Sequence, residues 1–268
     1  MTTPRDLPPY TTAYYPKIYL KSQLCTKPQW PSKDTNLIKK VAIVTGANSG
    51  MGFESSHQLL SHNLSYLIIA AFVQRIEGQL SRLDIIIILI AGLGNLKFAV
   101  VPSTGHEEVM QVNYFSTVLL CILLLPVLKG KAATISPGRL TSYDNPKTFD
   151  WNEQYSASKL LAHMFLWKLV DYVSTDDVVV NLIDPGLVKG TDLQREASGK
   201  GASTYLDAAL VKGKESHGCY IMNWQFRPFA TFLYTTEGKQ IIESLWSETM
   251  AELKFADGQG TLEFMRRA

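Results

Sequence analysis

Two groups of residues in this chain have the types and the spacing to do chemistry. The first is Tyr155-Ser156-Ala157-Ser158-Lys159. On a helix, residues four apart share one face and lie a turn from each other, which would set a phenol beside an ammonium. A phenol titrates near 10 in isolation and is a poor acid–base group at neutral pH. A neighbouring cation favours the phenolate and brings the group toward a useful range. The same spacing also arises by chance on half-exposed surface helices.

The second group is Thr45-Gly46-Ala47-Asn48-Ser49-Gly50-Met51-Gly52. A first glycine permits a tight turn, a second lets backbone approach a pyrophosphate, and a third allows close helix–strand packing. Free N–H groups at the start of the following helix would then face anionic phosphates. The spacing is G-x3-G-x-G, and no Lys-Ser or Lys-Thr follows as a P-loop requires. A merely structural glycine turn is the alternative reading.

These residues need strands and helices to hold them. Val41–Thr45 is a short apolar run ended by Gly46, as in a buried parallel strand. Phe53–His62 reads as a helix, Tyr66–Ala71 as a second strand and Val73–Arg82 as a helix. Asp84–Ala91 is the clearest strand, a β-branched run with Gly92 and Gly94 behind it. Glu107–Leu125 reads as a long helix, Arg139–Ser142 as a brief strand, and Gln154–Tyr172 as the helix carrying the Tyr/Lys pair. Val178–Ile183 is another buried strand, closed by Asp184-Pro185-Gly186, and Gly238–Leu253 a late amphipathic helix. Strands alternating with helices predict a mostly parallel sheet covered on both faces.

Bulk composition narrows the function classes. The chain has 268 residues, 46% hydrophobic and 19% charged, with a net charge of +2. This is ordinary globular composition, without the basic field that nucleic acid would call for. Cys25, Cys121 and Cys219 lie far apart, with no metal-ligand spacing, which fits a reducing compartment and an expected cytoplasmic location. His57, His62, His106, His163 and His217 form no cluster in the sequence and read as surface or internally satisfied residues. Thr117–Leu128 is almost wholly apolar but is twelve residues long and holds Pro126; a membrane span takes about 20, so a buried helix is expected. Residues 1–40, with six prolines and no continuous apolar stretch, read as an irregular arm before a single domain over 41–268.

Together, the glycine loop and the Tyr155/Lys159 pair resemble the short-chain dehydrogenase/reductase family, in matching order over about residues 41–193. Gln111-Val112-Asn113-Tyr114 resembles the family's helix with an active-site asparagine. Leu89-Ile90-Ala91-Gly92 stands where the family has NNAG, and Asp184-Pro185-Gly186-Leu187-Val188 resembles its PG-x-V segment bordering the nicotinamide. The arm and Ser216-His217-Gly218-Cys219-Tyr220 also look like fungal, retinol-dehydrogenase-related members that tailor secondary metabolites. The resemblance implies a Rossmann-like, doubly wound α/β fold and an NADP-dependent oxidoreductase, with NAD as the alternative cofactor. It would interconvert a ketone and a secondary alcohol on a small molecule, with a substrate region at about 190–260.

Carried over residue by residue, Tyr155 is the proton donor or acceptor. Lys159 holds the nicotinamide ribose and lowers the tyrosine pKa, and Asn113 anchors the water of a proton relay. Ser142, thirteen residues before Tyr155, hydrogen-bonds the substrate oxygen. Gly46, Asn48, Ser49, Gly50, Met51 and Gly52 cradle the cofactor phosphates. Ala91 and Gly92 border the cofactor, as do Pro185, Gly186 and Val188, with Thr191 reaching the carboxamide. The resemblance also implies a homo-oligomer packed through the Thr117–Leu128 helix.

The chain departs from the family in one stretch above all. Only about forty residues separate the glycine loop from Ala91-Gly92, well short of the family's usual separation, and the shortfall lies after Ala71. No acidic residue follows Tyr66–Ala71 to take ribose hydroxyls. The expected fold therefore lacks one edge strand–helix unit and has a thinned adenosine pocket. A catalytically impaired binding or assembly module is the alternative function.

Overall fold

The computed structural model describes residues 4–11, 25–47, 50–69, 83–88, 95–128, 144, 146–186 and 194–266. The expected helix at 73–82 and the expected strand at 139–142 lie outside them. The chain forms two compact units. The first comprises Met1–Leu89, Gly130–Ile135 and Thr175–Phe229, the second Ile90–Lys129, Ser136–Ser174 and Ala230–Ala268.

The first unit is built on β1 (Val41–Val44), flanked in parallel by β2 (Tyr66–Ile69) and β3 (Ile85–Ile87) in the order β2-β1-β3. Ala42, Ile43 and Val44 are buried, as are Ile85, Ile86 and Ile87. Continuous apolar runs are what strands covered on both faces require. Asp84 fastens β3 to the start of β1: its carboxylate accepts from the Val41 N–H at 3.0 Å and from Lys40 Nζ at 3.2 Å. The connection from β2 to β3 crosses over β1, so the strand order reverses at the carboxyl end of β1, where open α/β sheets bind their ligands. Residues 70–84 suffice for one parallel crossover of about a dozen residues, not for two with a strand between them. The expectation of a shortened sheet rests on that length.

Helix α1 (Gly50–Ser61) links β1 to β2, and α4 (Gln194–Leu210) packs against it. Leu59 of α1 and Leu206 of α4 join Leu37, Ala42, Val44 and Ile85 in one core, and Gln58 Nε2 donates to the Gly199 carbonyl at 3.2 Å. In the same unit β4 (Leu182–Asp184) pairs in parallel with β5 (Tyr220–Met222), which turns back antiparallel into β6 (Gln225–Arg227). Asn223 and Trp224 both have positive φ, 53° and 59°, as a two-residue hairpin turn demands. The expected strands were longer than those formed. Val178–Ile183 is regular only from Leu182, and the described part of Asp84–Ala91 is regular over Ile85–Ile87.

The second unit is helical. Glu108–Leu128 is one continuous helix, α2, broken internally by a π-helical turn over Gln111–Phe115. It runs to Leu128, beyond the expected end at Leu125, with Pro126 held inside its last turn. Its 21 residues are long and apolar enough to cross a membrane by length and composition. Val118, Cys121, Ile122, Leu124, Leu125 and Leu128 are nonetheless buried within the unit, and a helix apolar all round belongs in an interior. Helix α3 (Trp151–Leu169) starts three residues before its expected start because Asp150 caps it, accepting from the Asn152 and Glu153 N–H groups at 2.9 Å. Helix α5 (Thr236–Glu252) packs on α3, with Trp246 tilted against Phe165 (5.3 Å) and stacked on Tyr172 (5.0 Å). Helix α6 (Gly258–Arg266) lies on α2.

Candidate active site

In the second unit the Tyr/Lys pair takes the geometry its spacing predicts. Tyr155 and Lys159 lie on α3, and Lys159 Nζ stands over the Tyr155 ring, 5.0 Å from its centroid. Both are partly exposed, with Gln154 and Ser158 buried beside them. The approach of ammonium to ring is a cation–π contact within one helix face. Asn113 sits in the π turn of α2, a local departure from α geometry that often marks functional positions. Its Nδ2 donates to Ser158 Oγ at 3.2 Å, and that hydroxyl donates to the Tyr155 carbonyl at 2.7 Å. Asn113, Tyr155 and Lys159 are thus brought to one place. Buried Ser158 links them, although sequence reasoning gave it no role.

In the first unit the glycine loop leaves the carboxyl end of β1. The Thr45 N–H donates to the Ile87 carbonyl at 3.0 Å, which closes β3 onto the start of the loop. Gly46 and Gly50 have φ of 61° and 53°, a left-handed conformation that glycine takes without strain. A Cβ on Gly50 would meet nothing within 4 Å, so the turn is open above the first residue of α1. Backbone at a helix start with free space over it suits a pyrophosphate. Gly186, after β4, also needs its positive φ of 79°, and its N–H donates to Asp184 Oδ1 at 2.7 Å. The other Asp184 oxygen accepts from the Tyr220 hydroxyl at 3.0 Å.

Gly201 of α4 closes this end of the unit. A Cβ there would lie 3.0 Å from Met51 Sδ and 3.4 Å from Pro185 Cβ, so α4 meets both the glycine loop and the Asp-Pro-Gly turn. Sequence reasoning left 190–226 without defined shape. Its signal was the glycine spacing in Gly199-Lys200-Gly201, where a helix must approach other backbone closely.

Asn48, Ser49, Ala91, Gly92, Ser142, Val188 and Thr191 lie outside the described residues. Among the histidines, His106 is internally satisfied, as expected: Nδ1 is 2.9 Å from Asp144 Oδ2 and Nε2 is 3.5 Å from Glu252 Oε2, with the ring stacked on Phe115 at 4.1 Å. The described residues contain no group of three or more acidic, histidine or cysteine side chains that could hold a metal.

Comparison with known proteins assigns the chain to a family. The family model for the short chain dehydrogenase matches residues 65–201. The chain is 44% identical to the short chain dehydrogenase/reductase mfmJ of Annulohypoxylon moriforme, with 99% of each chain covered. It is 35% identical to the short chain dehydrogenase virL of Hypocrea virens, covering 91% of this chain and 93% of that one. The chain therefore belongs to the short-chain dehydrogenase/reductase family of oxidoreductases. The mfmJ alignment runs over 343 positions against 268 residues here, so it passes over positions of the relative that this chain lacks.

Among solved structures, an uncharacterized protein from Mycobacterium paratuberculosis superposes with a TM-score of 0.62 at 19% identity, over 84% of this chain and 98% of that one. A carbonyl reductase from Pseudomonas aeruginosa in complex with NADP gives 0.51 at 13% identity, over 71% and 99%. These likenesses bear on the fold alone.

Proposed function

We propose that this protein reduces a ketone on a small molecule, or oxidises the corresponding secondary alcohol, with NADP as cofactor. The reading includes tailoring of a secondary metabolite in the cytoplasm, in keeping with relatives from fungi. The observation that carries the chemistry is Lys159 Nζ over the Tyr155 ring, on a helix tied to Asn113 through Ser158.

A nicotinamide dinucleotide, when bound, supplies or takes up the hydride. The Tyr155 phenol gives its proton to the carbonyl oxygen during reduction and takes one from the alcohol during oxidation. Lys159 offsets the phenolate charge left behind and holds the cofactor's ribose. Ser142 orients the substrate oxygen, and the α2 backbone at Asn113 holds the water that returns the proton. Gly46, Asn48, Ser49, Gly50, Met51 and Gly52 hold the pyrophosphate. Ala91, Gly92, Pro185, Gly186, Val188 and Thr191 border the nicotinamide half. The adenosine half has less protein to meet, since the chain between β2 and β3 is short, and weak cofactor binding is the expected result.

The same shortening favours a second reading, a family member kept as a binding or assembly module without turnover. Fluorescence titration with NADPH and NADH separates the two. Binding of either below about 1 mM, weak as affinities go, together with turnover that Tyr155→Phe abolishes at unchanged cofactor affinity, is the outcome expected for the enzyme. No binding at that concentration, or full turnover by Tyr155→Phe, would sink it.

A further inference from the structure

Glu107 is fully buried, and its Oε2 accepts three hydrogen bonds: from the Val109 N–H (2.9 Å), the Met110 N–H (3.1 Å) and Gln154 Nε2 (2.8 Å). The first two cap α2. Capping alone is ordinarily done by Ser, Thr, Asp or Asn, and the longer glutamate adds reach to α3. Its backbone is held as well, because the Glu107 N–H donates to Asp144 Oδ1 at 2.6 Å, and the other Asp144 oxygen is 2.9 Å from His106 Nδ1.

The position of Gln154 gives this contact its consequence. Side-chain bonds from the α2 region reach α3 at two places one turn apart: Glu107 to Gln154, and Asn113 to Ser158. Each is made by the residue immediately before a reactive one, Gln154 before Tyr155 and Ser158 before Lys159. Neighbouring residues on a helix point about 100° apart. Bonds at 154 and 158 therefore fix the rotation of α3 about its axis and aim the phenol and the ammonium together. With one bond alone, only the apolar packing of α3 would resist its rotation about that point.

We infer that Glu107 is a positioning residue for the proton-transfer pair, holding the Asn113 helix and the Tyr155/Lys159 helix in one register through its bond to Gln154. The inference rests on the proton-transfer role proposed above for Tyr155. Glu107 Oε1 has no hydrogen-bond partner, so Glu107→Gln keeps an acceptor oxygen in place and puts its amide where no bond is lost. Glu107→Leu removes both functions. Gln154→Leu removes the grip on α3 and leaves the cap.

The test uses the full chain with NADPH and 9,10-phenanthrenequinone as a probe ketone. Glu107→Leu and Gln154→Leu should each lower kcat by about 10- to 100-fold, the loss expected for a small misplacement of reacting groups, with KM for NADPH changed by less than about threefold. Glu107→Gln should restore most of kcat. A second readout needs no turnover. The absorbance titration of the Tyr155 phenol, isolated as the difference between each protein and its Tyr155→Phe counterpart, should shift in both Leu variants, because turning α3 changes what surrounds the phenol even though Lys159 turns with it, and should return in Glu107→Gln. If Glu107→Leu does not fold, Gln154→Leu decides alone. A lowered melting temperature with kcat and the phenol titration unmoved would overturn the inference. A wild type without turnover would end the enzymatic reading, and the titration would still decide the positioning role.

Discussion

His163, on the same helix as Tyr155 and Lys159, carries a charge consequence of its own. Burial pushes its imidazole down to about 4, whereas in the unfolded chain it takes up a proton near 6.5. Stability from this group is fully present above about pH 6.5, falls as the pH drops through that interval, and levels off below about 4, by on the order of 3 kcal/mol. His163→Leu should flatten that part of the profile. Urea midpoints at about pH 7 and about pH 4.5 for both proteins give the comparison, and parallel slopes would refute it. At this scale the sequence was legible where spacing alone sets geometry. The i, i+4 rule placed Lys159 at Tyr155, and the glycines marked the backbone that needs positive φ. Ser158, Glu107 and Gln154 were illegible because each acts across helices, and no local pattern shows what a buried polar side chain will reach.

Among the elements, the apolar patterning announced β1, α1, α2, α3 and α5, while the Asp150 cap that sets the start of α3 went unread. The elements missed were α6 (Gly258–Arg266) and two whose cause is tertiary: α4, whose glycines serve contacts with Met51 and Pro185, and the β5–β6 hairpin, where Trp224 adopts a φ of 59° seldom taken by a bulky residue. The strands came out short because pairing, not β propensity, decides where a ladder ends. Helix α5 offers a test of close packing. Thr235 Oγ1 accepts from the Gly238 N–H at 3.0 Å, and a Cβ on Gly238 would run into the Phe232 carbonyl oxygen. Gly238→Ala should cost about 2–3 kcal/mol by overpacking, despite the better helix propensity of alanine. A thermal or urea midpoint equal to that of the wild type would contradict it.

For the molecule as a whole, the parallel α/β sheet was readable from the alternation of strands and helices, family membership from two motifs, and the short β2–β3 connection from a residue count. The partition into two units was not, because each is assembled from separated stretches of chain. That interleaving makes a cut informative. A chain ended at residue 193 lacks α4 and with it Leu206, which shares a core with Leu59, Ala42, Val44 and Ile85. Uncovered apolar surface of this kind drives association, so the truncated chain should sediment as aggregate where the full chain stays in solution. A dispersed, folded fragment would show that α4 is dispensable.

The pairing of α1 with α4 also bears on how the protein is made. Helix α1 ends at Ser61 and its partner begins at Gln194. At about 5–20 residues per second, a ribosome spends on the order of ten seconds between the two. For that interval Leu59 and the strand faces beneath it lack the cover that α4 gives them through Leu206, and the nascent chain offers that surface to any passing chaperone or neighbouring polysome product. Yield in a foreign host should accordingly respond more to translation speed and chaperone supply than to the stability of the finished fold.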